Sequence, residues 1–114
     1  MSSRQHSRPL ALKTRAAVFA ALGDETRLAV LARLAEGTPQ SISRLTEGTG
    51  LSRQAVTKHL RVLEKAGMLR HSRSGRESLF ALEPQPIAEV RDYLDEVASQ
   101  WDAALARLKA QVEG

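Results

Sequence analysis

The stretch from Ser52 to Gly67 limits what this chain can fold into more than any other. Ser52 offers a side-chain oxygen to the backbone N–H groups of a following turn, and Gly67 supplies the residue type that ends helices. The spacing therefore predicts a capped helix running to Ala66. On a wheel turning about 100° per residue, Arg53, Gln54, Thr57, Lys58, Arg61, Glu64 and Lys65 fill one arc. Ala55, Val56, His59, Leu60, Val62, Leu63 and Ala66 fill the other. A solvated helix face mixes charges at i and i+4; this one carries four bases and only Glu64 as an acid. One side of the helix requires a core, and the other is suited to a polyanion.

The charge distribution extends that pattern. The chain of 114 residues has a net charge of +4, an uninformative total until it is divided. Between Ser52 and Arg76 lie seven bases and one acid, whereas residues 84–114 hold three bases and six acids. A concentrated basic segment is the electrostatic footprint of a nucleic-acid binder. A second interpretation treats the same charges as surface solvation. With no cysteine, disulfides, thiolate metal sites and thiol switches are excluded. The longest apolar run, Ala16 to Leu22, is far short of the roughly 20 residues a bilayer span needs. The expectation is a cytoplasmic protein that does not enter membranes.

The other elements follow from local signals. Residues 1–12, with Ser2, Ser3, Arg4, Ser7, Arg8 and Pro9, read as a flexible arm. A helix is predicted over Lys13–Leu22, ended by Gly23; Asp24 caps a second, with Leu28, Leu31 and Ala35 inward, stopped by Gly37 and Pro39. Ser41 caps a short third helix over Ile42 to Glu47, with Arg44 where a capping box would place an acid. Gly48-Thr49-Gly50 then reverses the chain. Met68–His71 and Glu77–Leu82 are predicted strands around a Ser72–Arg76 turn, a hairpin with a basic tip. After Pro84 and Pro86, Ile87, Val90, Leu94, Val97, Trp101, Ala104 and Leu108 are spaced 3 and 4 alternately, a heptad seam on a long helix.

That order is a winged helix-turn-helix, mainly α with a small β-hairpin wing, plus helices at each end for pairing. The stretch Ala21-Leu22-Gly23-Asp24-Glu25-Thr26-Arg27, the turn Gly50-Leu51-Ser52-Arg53-Gln54-Ala55-Val56 with Thr57-Lys58-His59-Leu60, and Leu63-Glu64-Lys65-Ala66-Gly67-Met68-Leu69 resemble the ArsR/SmtB family of bacterial transcriptional regulators. The Trp101 helix resembles the subgroup without metal-binding cysteines. The resemblance implies a homodimer on an inverted-repeat operator, usually as a repressor, with the Ser52 helix in the major groove. Residues 13–83 would form the DNA-binding domain and residues 84–114 the dimerisation helix.

The residues support the same assignment independently. Arg53 and Gln54, near the helix N-terminus, suit base edges; Ser52 and Thr57 suit bases or phosphates; Lys58, Arg61 and Lys65 suit the backbone. In the wing, Arg73 and Arg76 would approach the minor groove or phosphates beside Ser74, and Ser41 joins the DNA-facing set. Val18, Phe19, Leu22, Val90, Leu94, Val97, Trp101, Leu105 and Leu108 are assigned to the dimer interface. His59 falls in the apolar arc as a packed histidine, His71 lies beside the basic tip and His6 in the arm, so neither a metal site nor a cofactor is expected. No phosphate loop, HExxH or nucleophile elbow is present, and no enzyme is expected. Two alternatives remain. The heptad helix could serve a protein-interaction module, or an unrecognised small-molecule or metal site could make the chain a sensor.

Overall fold

The computed structural model describes residues 12–113, so the expected arm, His6 included, lies outside the described residues except for Leu12. Leu12 opens a helix instead of closing the arm. The order is α1 (Leu12–Leu22), α2 (Glu25–Leu34), β1 (Gln40–Ser41), α3 (Ile42–Thr46), α4 (Arg53–Lys65), β2 (Leu69–Ser74), β3 (Glu77–Leu82) and α5 (Pro84–Glu113). This is the expected winged helix-turn-helix, helical with a small antiparallel sheet.

The caps decide the boundaries. Asp24, Ser41 and Ser52 have extended backbones and accept from the N–H groups of Arg27, Arg44 and Ala55 respectively. Each thereby satisfies an N–H that the first turn of its helix leaves without a partner. At the other end of α4, Gly67 takes φ +82°, its N–H donating to the Glu64 carbonyl and that of Met68 to Leu63. That pair of bonds is a Schellman motif, and it delivers Met68 into the core. Pro84 and Pro86 sit in the first turn of α5, where a missing N–H costs no helical bond.

The sheet has strand order β1-β3-β2. The wing strands pair from Leu69↔Leu82 to Ser74↔Glu77, leaving Gly75 and Arg76 as a two-residue turn with Gly75 at φ +63°. Such a turn puts its glycine where side chains are disfavoured and matches the twist of the strands. Ser72, Arg73 and Ser74, expected in the turn, are therefore strand residues. The short β1, pairing Gln40 with Phe80 and Ser41 with Leu79, had no signal in the sequence.

Val18, Val30, Leu34, Leu45, Val56, Leu60, Leu63 and Met68 form the centre of one core, with Leu69, Phe80 and Val90 closing it. Four expectations change. In α2, Val30, Leu31 and Leu34 face inward and Leu28 is 51% exposed, because Val30 with Leu34 makes a larger apolar face than Leu28 with Ala35. Val62, at the border of the apolar arc of α4, is 41% exposed. Val18 and Val90, assigned to a dimer interface, are consumed by the protomer's own core at 0% and 4% exposure. Ser41 is buried with its oxygen committed to the α3 cap, so it supports that helix from below instead of facing outward.

Leu60→Ala should cost about 2–5 kcal/mol through the lost transfer energy and the cavity left behind, read from urea unfolding. Leu28→Ala, on the exposed side of α2, should stay within about 0.5 kcal/mol.

Candidate nucleic-acid interface

The inward row Val56, Leu60 and Leu63 is fully buried, and that sets the roll of α4. Arg53, Gln54, Lys58, Arg61 and Lys65 are consequently exposed together, with Thr57 half-buried among them. Arg53, Gln54, Thr57, Lys58 and Arg61 line a shallow concavity of about 430 Å³. At the N-terminus of this face the Ser52 oxygen accepts from Ala55 N–H at 3.1 Å, and one turn in, the Thr57 hydroxyl donates to the Arg53 carbonyl at 2.7 Å.

β2 packs beside α4 and carries the second group of bases. Arg70, Arg73 and Ser74 on this edge strand, and Arg76 in the turn, are all exposed. Among the described residues, no Lys or Arg of α4 or the wing forms an ion pair. Their charge is not neutralised by ion pairs among the described residues, which is the condition for exchanging counterions against phosphates. His71 instead stacks on Phe80, with ring centroids 4.6 Å apart, and lies 3.8 Å from Glu64. It braces the wing against α4. Among the described residues no three His, Asp or Glu side chains gather as a metal-binding group.

Two arginines that sequence reasoning passed over hold the scaffold. Arg27 donates from Nε to the Ala21 carbonyl at 2.6 Å and from Nη2 to the Ala20 carbonyl at 3.3 Å, covering the C-terminal end of α1. Its Nη1 reaches His59 Nδ1 at 3.1 Å. The same ring nitrogen lies 3.7 Å from the Asp24 carboxylate. His59 is thus packed at the junction of α1, α2 and α4. Arg33 plays the same part for α3, donating to the carbonyls of Arg44, at 2.7 Å, and Glu47. Only the Gly23–Arg27 stretch hinted at the first clamp, and nothing in the pattern hinted at the second.

Asp24 completes the junction. The backbone N–H of Arg27 holds its carboxyl below the ordinary value; partial burial opposes that effect, and the nearby His59 and Arg27 charges add to it.

On α5, only Val90 is buried. Phe19 meets Tyr93 edge-on at 6.0 Å and Arg15 lies over the same ring at 4.6 Å, tying α1 to α5. Beyond that contact Leu94, Trp101, Leu105 and Leu108 are all exposed, Trp101 by 66%, and Val97 is half-exposed. Among the described residues no helix is long and apolar enough to cross a membrane.

Comparison with known proteins places this geometry among regulators. A helix-turn-helix domain model matches residues 22–72. The HTH-type transcriptional regulator Rv2034 of Mycobacterium tuberculosis is 36% identical over 85 residues, covering 75% of this chain and 76% of the relative. A solved ArsR family transcriptional regulator superimposes with TM-score 0.76 at 32% identity, covering 83% of this chain and 97% of the other. An ArsR-like regulator from Rhodococcus sp. RHA1 gives TM-score 0.74 at 35% identity, over 85% and 91% of the two chains.

The Asp24 cap carries a pH signature. A folded pKa below the unfolded one means the unfolded chain binds more protons in acid, so this contribution is present above the ordinary carboxyl value and lost as pH falls through the lowered one. Asp24→Ala should therefore be less stable than wild type in urea unfolding, by a constant gap above about pH 4 that narrows in more acidic solution. A gap unchanged in strong acid would contradict a charge-assisted cap.

Proposed function

Because the chain belongs to the ArsR family of winged helix-turn-helix transcriptional regulators, we propose that it acts as a homodimeric repressor. In this proposal it reads an inverted-repeat operator with the exposed face of α4. It is a DNA-binding regulator and not an enzyme. One observation carries the reading: a helix whose roll is set by buried Val56, Leu60 and Leu63 exposes a row of unpaired bases next to a basic wing.

The division of labour follows from charge and exposure. Arg53 pairs with guanine in the major groove and Gln54 reads a neighbouring base, while Lys58, Arg61 and Lys65 grip the backbone. Ser52, whose oxygen is already an acceptor in its cap, has its O–H left to donate to a phosphate. Arg73 and Arg76, with Ser74 between them, reach the flanking minor groove or phosphates. Residues 13–83 form the reading unit and residues 84–114 the pairing unit. The exposed seam of Leu94, Val97, Trp101, Leu105 and Leu108, with Phe19 and Leu22 at its root, is the surface a second copy covers. A two-fold axis through it sets two α4 helices roughly 34 Å apart, in successive major grooves. Occupancy of a promoter by such a dimer blocks transcription, and the protein works in the cytoplasm. With no cysteine, its switch does not run through thiolates.

Selection of bound duplexes from random DNA tests the reading. Arg53→Ala should lose discrimination at one position of each half-site, worth about 1–3 kcal/mol. Arg73→Ala should weaken all sequences alike and lower the slope of log affinity against log salt by about 1. Equal wild-type affinity for selected and random duplex at moderate salt would refute sequence-specific binding. The pairing surface has its own test: Leu105→Glu should sediment as a monomer where wild type sediments as a dimer. A wild-type monomer that dimerises only with a second protein would favour an interaction module instead.

A further inference from the structure

The helix itself restricts what Thr57 can offer to DNA. Its Oγ1 lies 2.7 Å from the Arg53 carbonyl oxygen, which has no proton to give, so the hydroxyl hydrogen sits in that contact. Rotating the hydroxyl outward would leave two acceptor oxygens facing each other at hydrogen-bond distance. Toward a ligand, Thr57 therefore presents a lone pair and a methyl group, and no donor. It lines the α4 concavity together with Arg53, Gln54, Lys58 and Arg61 and is the most buried of the five. Ser52 has the opposite polarity, with its oxygen engaged by the Ala55 N–H and its hydrogen free.

An acceptor with a methyl group makes no hydrogen bond to a phosphate oxygen or to the N7 and O6 of guanine, all of which are acceptors themselves. In the major groove the donors are the amino groups of adenine and cytosine, and only an A·T pair adds the thymine methyl next to its amino group. We infer that Thr57 is a specificity-determining residue that selects an A·T pair in each half-site. The adenine amino group donates to Oγ1 and the thymine methyl packs on Cγ2. Of the bases or phosphates that Thr57 suits, this assigns it a base, and its preference is complementary to that of Arg53 for guanine. The inference rests on the DNA-reading role proposed for α4.

The test uses the full chain, randomised duplexes, and base analogues placed in the selected sequence. Wild type should select A·T at one position per half-site. Thr57→Val, which keeps the shape and loses the lone pair, should relax that position alone and bind the selected duplex about three- to tenfold more weakly, the range of one neutral hydrogen bond. Purine lacking the amino group, in place of adenine, should cost wild type a similar factor and Thr57→Val nothing. Thr57→Ser should keep the adenine preference and lose discrimination between thymine and uracil. The assignment is overturned if Thr57→Val retains every wild-type preference, or if the position it relaxes is a G·C pair in wild type. The analogue duplexes on wild type decide the matter even if a variant fails to fold. A wild-type protein that selects no sequence overturns the DNA-reading role itself and the Thr57 assignment with it, an outcome distinct from selection that ignores Thr57.

Discussion

The burial of Val56, Leu60 and Leu63 against the core is the interaction on which the rest depends, because it removes the rotational freedom of α4 about its own axis. A helix turns about 100° per residue, so a different packed row would carry Arg53 or Arg61 toward the core and turn Leu60 to water. Both exchanges are costly: burying an unpaired guanidinium forfeits its hydration, and exposing a leucine forfeits its transfer energy. The same apolar contacts that stabilise the fold therefore aim the basic face outward.

Roll alone does not place a helix, and the polar clamps supply the remaining constraints. Arg27 ties the end of α1 to α2 and touches His59 on α4, while Arg33 holds the end of α3 through the Arg44 and Glu47 carbonyls. Each guanidinium donates to carbonyl groups at a helix end, so the clamps add to the backbone's own pairing there and orient the elements together. The hairpin is braced separately, by His71 on Phe80. Reading surface and wing are thus fixed to one core, whereas the outer part of α5 stands clear of it. That helix is 30 residues long, about 45 Å at 1.5 Å per residue, in a molecule whose longest dimension is 66 Å.

Much of this was legible in the sequence because it is written in short-range signals. Ser52 and Gly67 bracket α4 by their own backbone chemistry, and the wheel of Arg53 through Ala66 separates its faces before any tertiary contact is known. What was not legible depends on partners distant in sequence. Nothing about Gln40 and Ser41 announces a strand until Phe80 and Leu79 lie beside them. Leu28 and Val30 both continue helical apolar spacings in α2, and only the pairing of Val30 with Leu34 in the packed core decides for Val30. Val18 and Val90 continue apolar patterns that extend to exposed residues, so their periodicity could not say which end of each pattern the protomer keeps for itself. The arginine clamps were hidden because a guanidinium bound to carbonyls looks the same in sequence as one in water.

The central claim is that two copies of the α4 face enter successive major grooves of one duplex. Methylation interference at guanine N7 on a selected operator fragment tests it most directly, since a methyl group there blocks the major groove and leaves the minor groove open. The account predicts two symmetric clusters of interference centred about one helical turn, or roughly 10 base pairs, apart. Interference in a single cluster, or binding indifferent to N7 methylation throughout the fragment, would contradict it.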